Sequence, residues 1–203
     1  MSYSNDNNYT NISWRQSYTT ASKPNRFGTL EQYISIIQDR SYSCLLFDGS
    51  FLRISYSFKS TKLVSHSLWY YPCPFNIPYD DLLTDPVLDL IEMYVEQGFK
   101  YCHFKGPIRF DYDSERISTE FHPSTHVHFI DNNCRIPVKK PLSPGTFIKF
   151  IFRNFYLEYW KQYSFLKELH ECFFDITILP QEEKCVHFSW LENNLGSQLL
   201  NMD

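Results

Sequence analysis

The chain has 203 residues, with 19 Lys and Arg against 23 Asp and Glu, a net charge of −4, so no overall basic field draws it to nucleic acid or to an anionic membrane. Apolar residues make up 43% and aromatics 18%, with 18 Phe, 15 Tyr and 4 Trp, which excludes a disordered, collagen-like or coiled-coil chain. A chain of this length fits one domain and buries roughly 70% of the surface it exposes when unfolded, so no metal or disulfide is needed merely to hold it together.

Residues 1–26 are rich in Ser, Thr, Asn and Tyr with little hydrophobic periodicity and are expected to form a flexible N-terminal arm. Neither a basic start followed by an apolar run nor an apolar stretch of spanning length occurs, so a cytoplasmic protein with no membrane association is expected. The cysteines at 44, 73, 102, 134, 172 and 185 show no CxxC or CxH spacing and are expected as unpaired thiols. From Thr29 to Asp39, Leu30, Tyr33, Ile34 and Ile37 recur at helical spacing behind a Thr29 cap with Gln32 three residues on. Ser43–Phe47 and Ser50–Phe58, joined by Asp48-Gly49, predict a hairpin. Lys62–Tyr71 continues as a third strand until Pro72, Pro74 and Pro78 stop it. Asp85-Pro86 opens a helix that runs through Gln97 and closes at Gly98.

Pro107–Asp113 and Thr125–Asp131 then predict strands, and Phe147–Leu169 one long helix with aromatic residues nearly all round. Phe173–Leu179 and Val186–Trp190 are expected as late strands, and 191–203 as a tail. The sum is an α+β fold: a single domain over 27–190, with an antiparallel sheet packed on several helices.

The chemistry-bearing segment is Arg109-Phe110-Asp111-Tyr112-Asp113, followed by His122-Pro123 and His126-Val127-His128. Alternate strand residues share a face. Arg109, Asp111 and Asp113 therefore lie together, and so do His126 and His128. Antiparallel pairing with the apolar faces on the core gathers them into one cluster, because opposite Cβ atoms lie about 4.5–5.5 Å apart. Three uses stay open. Asp111 or Asp113 can hold His126 or His128 in one tautomer as a catalytic acid/base, with Arg109 on a phosphate. His122, His126, His128 and an Asp can bind a divalent transition metal. The bland alternative is a polar sheet face laced with ion pairs of little energetic weight.

Arg135, Lys139 and Lys140 form the densest basic run and predict, with His122, a rim that steers phosphate; the plainer reading is an exposed loop. Gly-rich phosphate loops, the G-x-S-x-G elbow and HExxH are missing, which argues against NTP motors, α/β-hydrolases and zincins.

The series Asp48-Gly49-Ser50, Trp69-Tyr70-Tyr71-Pro72-Cys73-Pro74, Arg109-Phe110-Asp111-Tyr112-Asp113, His122-Pro123, His126-Val127-His128 and Cys134-Arg135-Ile136-Pro137 resembles an uncharacterised bacterial domain-of-unknown-function family over roughly residues 40–165. The order of Arg109, Asp111, His122, His126 and His128 is more distantly similar to TumE-type toxins of toxin–antitoxin pairs, and that likeness implies a place in toxin or phage-defence operons. The function expected is a bacterial toxin-like or defence protein acting on or binding nucleic-acid phosphates through the Arg/Asp/His cluster. His126, His128, Asp111 and Asp113 are its expected catalytic residues, and Arg109, His122, Arg135, Lys139 and Lys140 its phosphate contacts, with no cofactor and no metal. The expected partners are nucleic acid and a protein partner or second copy. The alternative is a non-catalytic subunit that docks a larger defence complex through aromatic surfaces.

Overall fold

The computed structural model describes residues 2–6, 8–13, 27–98, 102, 103, 105–116 and 122–184. Its centre is one antiparallel sheet of eight strands: β1 (Ser2–Asp6), β2 (Tyr9–Ser13), β3 (Cys44–Leu45), β4 (Phe51–Lys59), β5 (Lys62–Tyr71), β6 (Ile108–Asp113), β7 (Thr125–Phe129) and β8 (Ile136–Pro137). The strand order is β1-β2-β4-β5-β6-β7-β8, and β3 also pairs with β4. The Asp48-Gly49 turn joins β3 to β4 as the dipeptide predicts, with Gly49 at φ +82 and Asp48 accepting from both the amide and the hydroxyl of Ser50.

Helices cover both faces. The helix α1 (Leu30–Gln38) has the predicted Thr29 cap accepting from Gln32 N–H; the Gln32 side chain, however, takes the Gly28 N–H and so fixes the residue before the cap. After α2 (Tyr79–Thr84), α3 (Val87–Glu96) ends at Gln97 ahead of Gly98 at φ +76. On one face Tyr33, Ile36, Ile37, Ile91 and Tyr94 bury against Phe51, Trp69, Tyr71 and Phe75. On the other, α4 (Pro144–Phe155) drives Phe147 and Ile151 into Leu52, Leu68, Phe110 and Val127. These are the two side-chain sets that strand alternation separates.

The aromatic-rich helical region near the C-terminus is present, but it divides at Tyr156 (φ −132, ψ 53), where α5 (Leu157–Gln162) begins, and again at Tyr163 before a short 3-10 turn, Ser164–Leu166. The break serves a tertiary contact: the Tyr156 hydroxyl donates to Asp48 and lies 3.3 Å from the Tyr70 hydroxyl. Ser2–Asp6 and Tyr9–Ser13, expected as part of an arm, are paired strands that extend the sheet through pairs such as Asn11 with Ser57. Residues 173–179, expected as a strand, carry no strand pairing; the chain there gives the amides of Thr177 and Ile178 to the Lys139 carbonyl, ahead of α6 (Pro180–Glu183). The strand expected at 186–190 and the tail at 191–203 lie outside the described residues. The five described cysteines are free thiols, and among the described residues no helix is long and apolar enough to cross a membrane.

Candidate functional site

The β5–β6–β7 register sets the site. Trp69 pairs with Arg109 and Ser67 with Asp111 across β5–β6; Arg109 pairs with His128 and Asp111 with His126 across β6–β7. All six side chains therefore project from the face that carries the α1 and α3 core, at the part those helices leave uncovered. They line a cavity of about 550 Å³ together with Arg116, His122 and Arg135.

Asp111 is the hub. Its Oδ1 accepts from the Ser67 hydroxyl at 2.7 Å, and that hydroxyl in turn accepts from the Trp69 indole N–H at 2.7 Å. Its Oδ2 lies 2.7 Å from Arg109 Nε and 3.3 Å from His128 Nε2. His128 Nε2 also faces His126 Nε2 at 3.0 Å, and His126 Nδ1 lies 2.7 Å from the Pro123 carbonyl oxygen. A carbonyl only accepts, so His126 carries its proton on Nδ1 and turns the Nε2 lone pair inward. His126 and His128 are both buried, at 4% and 1% exposure.

Charge follows from this packing. Burial would raise the Asp111 carboxyl, but the His128 hydrogen bond, the Arg109 charge and the Ser67 hydroxyl outweigh it and hold it at about 2, so Asp111 is a carboxylate. Burial, with the neighbouring His128, pushes His126 down to about 4 against the opposing pull of Asp111, which leaves the ring neutral near pH 7. Burial and then the Arg116 and Arg135 charges lower His122 as well.

Arg109, expected on a phosphate, lines the cavity; its guanidinium is stacked between the rings of Phe27 at 4.6 Å and Trp69 at 5.3 Å, with Nε against Asp111. Asp113, expected to orient an imidazole, pairs beyond the end of β7 with Ser124; its Oδ1 accepts the Glu115 N–H at the cavity's edge. His122 packs edge-on to His126 with ring centroids 4.7 Å apart, and Arg135 lines the cavity. Lys139 and Lys140 lie outside the cavity, where Lys140 Nζ stands over the Phe173 ring. They follow β8, which pairs Ile136 with Val127.

Sequence reasoning missed Ser67, Trp69, Arg116, Phe27 and the Pro123 carbonyl. The alternation of Ser65, Ser67 and Trp69 on β5 carried a signal for two of them. Phe27 carried none: it reaches the site through Gly28 at φ +88, where a Cβ would stand 2.2 Å from the Ile130 carbonyl oxygen.

An antiparallel sheet with helices on both faces defines an α+β protein, in which a half-buried Asp111 and two buried histidines share a cavity that three arginines also line. The family model described as uncharacterized conserved protein (DUF2290) matches residues 1–190, and the chain belongs to that family. No curated protein matches the chain, and no solved structure does.

Proposed function

We propose that this DUF2290 protein acts on nucleic-acid phosphates, as a toxin-like or defence-type enzyme of the bacterial cytoplasm. One observation carries the reading: Asp111, His126 and His128 converge in a cavity that Arg116 and Arg135 also line. Guanidinium groups suit planar, bidentate contact with phosphate oxygens. In this reading Arg116, Arg135 and His122 hold the phosphate, Arg109 fixes Asp111, and the two inner imidazoles face the reacting phosphorus. A volume of about 550 Å³ falls in the range that accepts a small ligand, so the substrate is one nucleotide unit of an unpaired strand rather than a duplex. The bacterial setting rests on the likeness of Arg109, Asp111, His122, His126 and His128 to the TumE-type order.

The experiment is incubation of the full chain with end-labelled single-stranded RNA and DNA in a mixture of Mg(II), Mn(II) and Zn(II). Cleavage or nucleotide transfer that is lost in His128→Gln and weakened in Arg135→Ala supports the proposal. Intact strands together with no measurable binding would overturn it.

A second reading rests on a different surface. Leu157, Tyr163, Phe165, Phe173 and Ile176 are exposed large apolar residues in and just after the divided helical region, and such patches serve protein partners. A non-catalytic subunit of a defence complex would keep its partner when His128 is replaced and lose it when Phe165 and Phe173 become Ser.

A further inference from the structure

We propose that Asp111, His126 and His128 bind one divalent transition-metal ion of the zinc class. The inference deepens the proposed function, since it rests on the same three side chains, and it replaces the cofactor-free expectation drawn from the sequence.

The ligand atoms have the required spacing. His126 Nε2 and His128 Nε2 are 3.0 Å apart, His128 Nε2 and Asp111 Oδ2 are 3.3 Å apart, and one atom from each of the three residues lies within 4.8 Å of the others. Tetrahedral bonds of 2.0–2.1 Å place neighbouring ligand atoms about 3.3 Å apart. A cation between these atoms therefore needs only a small inward turn of Asp111 toward His126.

The ring nitrogens point the same way. Two inward-facing Nε2 atoms at contact distance, both buried, either share one proton or share a cation. The His126 proton is already committed to the Pro123 carbonyl, so its inner nitrogen offers a lone pair. That outer contact, and those of Ser67 and Arg109 on Asp111, are the contacts that fix the orientation of metal ligands elsewhere.

The scaffold is rigid as well: Asp111 and His126 are direct cross-strand partners, and His128 follows two residues along the same face. Imidazole with carboxylate suits Zn(II) and its transition-metal neighbours rather than Mg(II) or Ca(II). Three protein ligands leave a position open toward the cavity, the pattern of catalytic rather than structural sites. An ion there would supply Lewis-acid polarisation of a phosphoryl oxygen. His122, beside His126 and with its Nδ1 buried and unpartnered, is the neighbour of that open position rather than a ligand.

The test uses the full chain, stripped with EDTA, desalted, and titrated with Zn(II) or Co(II) alone. One ion retained per chain by plasma emission, with visible d–d absorption in the Co(II) form, is the expected result. Asp111→Asn, His126→Gln and His128→Gln should each weaken binding at least about 100-fold, while His122→Gln retains it. Circular dichroism checks that each variant is folded, and the wild-type Co(II) spectrum needs no variant. A folded wild-type chain that retains no ion overturns the inference, as does an ion that survives the His126→Gln/His128→Gln double change. Metal bound without action on nucleic acid sinks the proposed function and leaves this site standing. Cleavage that persists in excess EDTA does the reverse.

Discussion

Replacing Asp111 by Ala should destabilise the chain by about 3 kcal/mol, through Arg109 rather than through the lost carboxylate itself. Arg109 is 7% exposed, its guanidinium held between the rings of Phe27 and Trp69, and its charge has Asp111 as its close anion at 2.7 Å. Removing one member of a buried pair costs roughly 3–5 kcal/mol, because the other charge is left uncompensated. The Asp111 side chain keeps 24% of its exposure, so water can reach the vacated space, which places the cost at the lower end.

For a chain of this length about 3 kcal/mol corresponds to a fall in Tm of roughly 6–12 °C. Urea unfolding with EDTA present measures it without any contribution from a bound ion. The double variant Asp111→Ala/Arg109→Met should recover a large part of the loss, since Met keeps contact with the two rings and carries no charge. A cost under about 1 kcal/mol, or a double variant as unstable as the sum of the singles, would refute the argument that Arg109 depends on Asp111.

His66 gives a pH prediction. It is buried on the opposite face among Tyr56 and Tyr112, accepts the Leu142 N–H at Nε2, and burial lowers it to about 4. A folded value below the unfolded 6.5 means that the unfolded chain binds more protons, so the stability from His66 is complete above pH 6.5 and is lost as pH falls toward 4. The loss is about 3 kcal/mol, and His66→Gln should flatten that part of the stability curve; an unchanged slope in urea unfolding would count against it. Gly28→Ala should lower stability by about 2 kcal/mol or more, because the left-handed φ and the approach to Ile130 both forbid a Cβ; an unchanged Tm would show that the loop relaxes freely. Arg135→Ala should weaken binding of a labelled single strand by roughly 10-fold or more, while Lys139→Ala/Lys140→Ala changes it less than about twofold; the reverse order in a filter-binding assay would move the phosphate contacts out of the cavity. Tyr156→Phe should cost about 1 kcal/mol, as Asp48 loses one of its hydroxyl donors, and an unaltered urea midpoint would deny that this contact sets the helix break.

The face shared by Arg109, Asp111, His126 and His128 was legible because the side-chain period of a strand is two, and a slip of one residue would have buried the charges against Phe147 and Ile151. Which residue faces which was not legible, since a slip of two keeps the face and changes the partner. That ambiguity is why Asp113 looked equivalent to Asp111, whereas pairing ends at Ser124 and leaves Asp113 at the edge. Nearness in sequence does not put Lys139 and Lys140 in the cavity lining, because the short strand β8 lies between them and β7. The strand Tyr9–Ser13 gave no pattern because it is mostly polar and is fixed by backbone pairing with β4. The helix break at Tyr156 was equally silent, as it answers to Asp48 and Tyr70, far away in the chain.

Trp69 explains how a hydrophobic core and a charged site coexist on one sheet face. Its ring packs edge-on to Phe27 at 5.3 Å and receives the guanidinium groups of Arg53 and Arg109, while its N–H fixes the Ser67 hydroxyl that donates to Asp111. The apolar body ends the core and the polar tip begins the site, a division that an indole makes possible and a phenyl ring does not. The cluster thereby inherits its rigidity from packing beneath α1 and α3, and the carboxylate is oriented before any ligand arrives. A surface ladder of ion pairs needs no such backing. Three contacts on one partly exposed carboxylate, from Ser67, Arg109 and His128, beside two buried imidazoles, cost more to assemble than a surface ladder returns in stability, which is the physical ground for proposing a function for this cavity.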